Sequence, residues 1–351
     1  MSPRSVVMLG VITLVAIVSA LLYSGARRDA AAPEPERLVP QLRAVINEID
    51  AIEITAAGEV LVARLRRDDT RWRVENRAGY EADFRRIHDL LRGLADANRA
   101  EPRTALEEWY PRLGLSDLDS EVARGVQVAF PGRDLPAVIL GDQDEATGGR
   151  YARLEGQAQS WLTDQPLEVP ASTVGWLERS VMDIPARELA EVTIVHPDGD
   201  RVRLRPADEE GEQWVVLDVP DGREAAPDWQ IRPVANGLAS VNLEDVRRHE
   251  SVPEDAVRAL YVTRDGLNFV VDLFVDDGRP WARFSVSAEP QAVVADDEAA
   301  EEEQGDGLLA DAVAVDARLS PWQFALPEAK FETMTRRLED LLAEPVADPA
   351  G

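Results

Sequence analysis

A pattern that occurs twice in one chain restricts its fold more than composition can, because both copies must build the same order of elements. Here NEIDAIEI at 47–54 is answered by RELAEVTI at 187–194, at an offset of 140. Ile49, Ile52 and Ile54 stand against Leu189, Val192 and Ile194. Glu59-Val-Leu-Val-Ala-Arg-Leu then matches Asp200-Arg-Val-Arg-Leu-Arg, and RWRVE at 71–75 meets QWVVL at 213–217. EADFRRIHDLLRGLADA at 81–97 meets APDWQIRPVANGLASV at 226–241, keeping an Asp-aromatic pair and a Gly-Leu-Ala. GVQVAFPGRDLPAVILGD at 125–142 resembles ALYVTRDGLNFVVDLFVDD at 259–277, and Tyr151-Ala152-Arg153 aligns with Trp281-Ala282-Arg283. Ser160-Trp161 and Pro321-Trp322 close the series, each with a helix expected after it.

Apolar residues at alternate positions mark strands, and Phe84, Ile87, Leu90, Leu91 and Leu94 recur at helical spacing. Asp83 and Asp228 stand where helix N-caps belong, since a carboxylate there can accept from unpaired backbone N–H groups. The pattern predicts an α+β fold: two tandem repeats of mixed antiparallel sheet plus helices, at 41–184 and 185–345. The offset is 130 at Tyr151/Trp281 but 161 at Trp161/Trp322, so the second copy holds an insertion. Its source is the acidic run ADDEAAEEEQGDG, and a solvated loop is expected at about 288–311. Residues 346–351 read as a disordered tail.

Ahead of the repeats, residues 6–23 are 18 residues without a charge. As a helix they would extend about 27 Å, near the thickness of a hydrocarbon core. The expectation is an N-terminal transmembrane helix, with 1–5 as a short cytoplasmic N-terminus and 24–40 as a Pro/Ala/Glu linker. A cleaved signal peptide is the rival, given the small residues Ser24-Gly25-Ala26, but the apolar run is longer than the usual h-region. Arg27 and Arg28 after the span against Arg4 before it would place the C-terminal side inside. The opposite orientation is preferred, because long domains translocate largely regardless of charge.

Composition narrows the function classes. With 66 acidic and 38 basic residues the net charge is −28, which opposes binding to nucleic acid and adsorption to anionic lipid. Lys330 is the only lysine; an arginine bias of this kind follows from GC-rich coding, and the acidity suits a salt-loving host. There is no cysteine, which removes disulfides, thiolate catalysis and Cys-based metal sites.

The order of an N-terminal apolar span, I-E-I at 52–54, W-R-V at 72–74, A-D at 82–83, L-G at 140–141 and Y-A-R at 151–153 resembles the bacterial domain of unknown function 4340 family. The resemblance runs from about residue 45 to 345. It implies a membrane-anchored envelope protein, of the kind often encoded beside ABC transporters similar to gliding-motility exporters. It transfers no catalytic residue. The chain departs from the family pattern in its acidic insertion and in the second copy, where Phe274-Val275 replaces Leu140-Gly141.

No residue is nominated as catalytic, cofactor-binding or metal-binding. His88, His196 and His249 lack a partner at metal-ligand spacing. Asp142-Gln143-Asp144-Glu145 before Gly148-Gly149 has Ala146 and Arg153 where a calcium loop needs oxygen ligands, and reads as a hairpin loop; Asp276-Asp277-Gly278 reads as a turn. There is no nucleophile elbow, phosphate loop or dinucleotide fingerprint. Trp72, Trp161, Trp214 and Trp322 recur at matched positions and are expected in the core or at strand edges. The expectation is therefore a non-enzymatic, single-pass protein of the bacterial inner membrane. It would have the bulk of its chain in the periplasm, no cofactor, and a protein partner such as an ABC-type transporter. An envelope polysaccharide-binding module or hydrolase is the alternative, resting on Trp176, Trp229 and Trp281 as exposed aromatics.

Overall fold

Strands form where one face of an alternating segment can be buried, and the computed structural model describes residues 36–289 and 298–343 in those terms. The first nine strands are β1 (Ala51–Ala56), β2 (Val60–Asp68), β3 (Arg71–Val74), β4 (Tyr80–Glu81), β5 (Arg99–Pro102), β6 (Val126–Ala129), β7 (Val138–Gln143), β8 (Arg150–Leu154) and β9 (Ser160–Thr163). They make one sheet in the order β4-β3-β2-β1-β6-β7-β8-β9-β5. Then come β10 (Ser180–Met182), β11 (Leu189–Val195), β12 (Arg201–Pro206), β13 (Trp214–Val216), β14 (Val241–Asn242), β15 (Asp245–Arg248), β16 (Val257–Thr263), β17 (Leu267–Asp276), β18 (Arg279–Ala288) and β19 (Trp322–Ala325). β10 pairs with β14, and the remaining eight follow the order β13-β12-β11-β16-β17-β18-β19-β15. Leaving aside β4, the two large sheets agree strand for strand. The fold is α+β, with antiparallel sheets and a few helices.

Burial follows the alternation. Ile52 and Ile54 in β1, and Leu189, Val192 and Ile194 in β11, are fully buried. Leu189 and Val192 are three apart, a spacing that would send them to opposite faces of a regular strand. A register shift between Leu189 and Glu191, where β11 pairs with β16, supplies the missing residue and turns both inward. Asp277 and Gly278 close the β17–β18 hairpin with φ of 49° and 73°, the left-handed pair that a two-residue turn needs.

The helices are α1 (Phe84–Asp96), α2 (Asp228–Ala235), α3 (Glu298–Leu319) and α4 (Glu328–Met334), besides single turns. Asp83 caps α1 as expected: its Oδ1 accepts from the N–H groups of Arg85 at 2.9 Å and Arg86 at 3.2 Å. Asp228 does not cap α2. It is the first helical residue, and its Oδ1 accepts from the Trp214 N–H at 3.1 Å, tying α2 to β13. Ile87, Leu90, Leu91 and Leu94 turn inward, but Phe84, the first residue of the helix, is 62% exposed.

Two further expectations are corrected. No α-helix follows β9: Thr173–Trp176 is a single 3-10 turn, because Pro166 and Pro170 break the helical ladder ahead of it. The loop expected at about 288–311 is replaced from Glu298 onward by α3, which packs on β18. Ala, Leu and Glu are strong helix formers, and Leu308, Ala312, Val315 and Leu319 return every three or four residues to one face. Asp316 Oδ1 accepts from the Val286 N–H at 2.8 Å, which fixes α3 to the sheet.

Close approach requires glycine at several positions, Gly141 and Gly237 among them. A Cβ on Gly141 would lie 2.1 Å from the Leu113 carbonyl oxygen. The Tyr110–Leu113 helical turn belongs to a long connection between β5 and β6, which buries Tyr110 and Leu115 against Ile139. Only residues 249–256 join β15 to β16, so nothing comparable covers Val275, which is 59% exposed. This is why the second copy tolerates Phe274-Val275 in place of Leu-Gly. A Cβ on Gly237 would lie 2.1 Å from the Tyr261 hydroxyl oxygen, which explains the glycine of the second Gly-Leu-Ala.

The chain forms two compact units. Of the described residues, the first comprises 36–49, Glu53–Leu61 and His88–Val169; the second comprises Asp50–Ile52, Val62–Ile87 and those from Pro170 on. The units thus cut the chain elsewhere than the sequence repeat does. Within the second unit, Thr173 Oγ1 donates to the Val62 carbonyl at 2.7 Å and the Asp83 N–H donates to the Trp176 carbonyl at 2.9 Å. Tyr80 meets Trp322 edge to face at 5.0 Å. The apolar segment 6–23, the linker up to residue 35, residues 290–297 and the tail at 346–351 lie outside the described residues. Among the described residues no helix is long and apolar enough to cross a membrane.

Candidate functional site

The residues that recur between the copies are occupied in packing. Trp72, Trp214 and Trp322 are buried, and Trp161 is half-buried with the Arg99 guanidinium 5.3 Å from its ring. Arg153 of Tyr-Ala-Arg is buried and donates from Nε and Nη2 to the Leu115 carbonyl at 3.2 and 3.1 Å. Its guanidinium also reaches the Asp117 carboxylate and lies 4.6 Å from the Tyr110 ring. Arg283, its counterpart, stands 3.7 Å from the buried Asp272 carboxylate, which also accepts from Arg258 Nε at 2.8 Å.

The histidines have separate surroundings. His88 is exposed on α1 with Nδ1 3.6 Å from Asp89, while His196 is buried with Nε2 3.3 Å from the Arg336 carbonyl oxygen. His249 Nδ1 lies 3.5 Å from Gln323 Nε2, and burial, followed by the Arg283 charge, pushes its pKa below the ordinary imidazole value. Among the described residues, no group of three or more His, Cys, Asp or Glu side chains is placed to hold a metal ion. The acidic stretch before Gly148-Gly149 is the β7–β8 hairpin loop. Asp144 Oδ2 accepts from Thr147 N–H at 3.0 Å and Thr147 Oγ1 at 2.7 Å, and Oδ1 accepts from the Tyr151 hydroxyl at 3.0 Å. The Thr147 hydroxyl, followed by that of Tyr151, holds the Asp144 carboxyl below its usual pKa.

Among the described residues, a cavity of about 550 Å³ in the second unit has the shape of a binding site. Three pieces of chain converge on it. After β10, Ile184 N–H donates to the Leu238 carbonyl at 3.0 Å, and Ala186 N–H donates to Asn236 Oδ1 at 3.0 Å. These bonds set the Asp183–Glu188 segment as one wall. The β16–β17 turn is the second: Gly266 at φ 100° lets the chain reverse, and Leu267 N–H donates to Thr263 Oγ1 at 2.8 Å. Arg264 N–H, donating to the Glu188 carbonyl at 2.9 Å, joins these walls. The third wall is the last turns of α3, where Arg318 Nη1 donates to the Val181 carbonyl at 2.9 Å.

The lining is amphipathic. Met182 and Phe269 are buried in it, with Ile184, Leu267 and Val315 half-buried. Arg187, Arg264 and Arg318 stand around it, beside Asp183, Glu188 and Asp265. Those carboxylates are already engaged. Asp183 Oδ1 accepts from Ser240 N–H at 2.7 Å and Oγ at 3.3 Å, Asp265 takes the Thr263 hydroxyl, and Glu188 lies 3.6 Å from Arg187. Arg264 adds one bond to the Glu209 carbonyl at 2.6 Å. Among the described residues, Arg264 and Arg318 therefore each commit one guanidinium N–H of five. No motif announces this site in the sequence. The available signal was the helical spacing in LLADAVAVDARL at 308–319, set aside by reading the acidic run ahead of it as loop.

No curated protein and no solved structure matches the chain. A family model described as a domain of unknown function, DUF4340, matches residues 72–260, just over half of its length. The span begins at Trp72 of W-R-V and takes in the A-D, L-G and Y-A-R motifs whose packing is described above. The chain belongs to the DUF4340 family.

Proposed function

We propose that this protein is a non-catalytic, membrane-anchored component of a bacterial envelope complex. Its two sheets are read as tandem copies of one unit, held in the periplasm by the apolar segment at 6–23. The observation that carries the reading is the fate of the recurring residues. The shared tryptophans and arginines serve packing, and Asp83 and Gly237 serve local structure each in its own copy, which supports an architecture in common rather than a reaction. A partner surface is suggested by α3, which is apolar on its outer side too: Leu309 and Val313 are exposed one turn apart. The net charge of −28 favours a partner presenting a basic surface, and an ABC transporter of the gliding-motility type is the proposed complex.

The test uses the full chain in intact cells, with a reporter fused after residue 345 and a photo-crosslinking residue at Val313. Active alkaline phosphatase and a crosslink to a defined membrane complex support the proposal. An active cytoplasmic reporter with inactive phosphatase would overturn it. The alternative, an envelope polysaccharide-binding module or hydrolase, loses Trp176 and Trp281 to the core. It retains Trp229, 67% exposed beside a groove of about 410 Å³ between α2 and α4.

A further inference from the structure

We infer that the cavity between α3 and the β16–β17 turn binds a small amphipathic anion: an apolar body with a carboxylate or phosphate head. Its volume of about 550 Å³ falls in the range of small-molecule sites. Met182, Leu267, Phe269 and Val315 offer apolar surface from three separate segments, so a hydrocarbon body resting there exchanges part of its contact with water for apolar contact. A purely apolar ligand would leave the arginines unused.

The sign of the head group follows from the accounting of donors and acceptors. Asp183 and Asp265 already accept from hydroxyl or backbone donors, and Glu188 has Arg187 beside it. Arg264 and Arg318 reach only backbone carbonyls, which leave their positive charge without a counterion among the described residues. A planar guanidinium fork matches a carboxylate or phosphate in two-point contact. In a chain of net charge −28, two arginines with uncommitted guanidinium N–H groups at one partly apolar cavity run against the general field, while Asp183 and Asp265 each already accept through one oxygen. The site belongs to the second copy alone, because Val315 and Arg318 come from α3, which the first copy lacks.

The chain has four methionines, and the two within the described residues provide the readout. Met182 lines the cavity, whereas Met334 is fully buried at the end of α4 and takes no part in the lining. The full chain is placed in lipid nanodiscs with ¹³C-methyl methionine and titrated with octanoate, octyl phosphate, octanol and octyltrimethylammonium. Octanoate or octyl phosphate should shift the Met182 methyl saturably at millimolar concentration and leave Met334 in place. Comparison of the two anions identifies the head group preferred. Octanol should need about tenfold more, and the ammonium should not saturate. Arg264→Gln together with Arg318→Gln should weaken the anions about tenfold without altering octanol, an unchanged Met334 signal showing that the fold is kept. The inference is overturned if Met182 does not respond to either anion. Equal binding of octanol and the anions, or anion binding indifferent to the double substitution, overturns it as well.

Discussion

Gly237 and Tyr261 make a contact whose energetics can be worked in both directions. A methyl group added at Gly237 would fall 2.1 Å from the Tyr261 hydroxyl oxygen, 2.8 Å from Cζ and 3.0 Å from Cε1. The ring is fully buried, so it cannot swing into solvent, and Gly237→Ala should cost about 1–3 kcal/mol as overpacking. The hydroxyl itself is buried with no hydrogen-bond partner among the described residues, and burial raises its pKa well above that of free tyrosine. An unpaired buried hydroxyl costs about 1–3 kcal/mol, so Tyr261→Phe should stabilise the protein by about 1 kcal/mol or more. Removing the oxygen takes away the 2.1 Å contact but leaves the two ring carbons. The double variant should therefore recover part of the Gly237→Ala loss, with a coupling of about 1 kcal/mol. Urea unfolding of the full chain, followed by tryptophan fluorescence, measures all four corners of the cycle. The reasoning is refuted if Tyr261→Phe destabilises by about 1 kcal/mol or more, since the hydroxyl would then have a partner, or if the two substitutions add without coupling.

Two other expectations follow from the packing and the electrostatics. Gly141→Val should lose about 3 kcal/mol or more, because its side chain meets the Leu113 carbonyl, whereas Val275→Thr at the matched exposed strand position should change stability by well under 1 kcal/mol; comparable losses in both would remove the account of the Leu-Gly motif. Asp144 has a folded-state pKa below its unfolded value, so its contribution is present above the unfolded pKa and fades as pH falls through the folded one. A ¹³C-carboxyl titration should place its midpoint below 3.8, and Thr147→Val should raise that midpoint; a wild-type midpoint at or above 3.8 contradicts the hairpin hydrogen bonds.

The repeat was legible because it rests on local periodicity. The alternation in NEIDAIEI and RELAEVTI placed β1 and β11, the Trp positions placed β3 and β13, and the Asp83 cap placed α1. Equivalent local cues misled where a residue's role depends on what lies across from it. Asp228 looks like Asp83 in sequence, but it lies inside its helix and its carboxylate accepts from the backbone N–H of Trp214 in β13. Phe84 has the spacing of a core residue and the exposure of a surface one. The acidic run from residue 295 lacks apolar content, yet the apolar stripe that follows it finds β18 and becomes α3.

Short-range chemistry along the chain was thus enough for most of the strand order and for the packing role of the recurring tryptophans. It could not supply the cavity, because Met182, Arg264 and Arg318 are far apart in sequence and meet only when β10, the β16–β17 turn and α3 pack together. Nor could it explain Gly141 and Gly237, whose reasons are a carbonyl and a phenol arriving from other parts of the chain. Periodicity records which face of an element is buried; what that face is buried against is settled by long-range packing, and both the cavity and the steric constraints of this protein are properties of that packing.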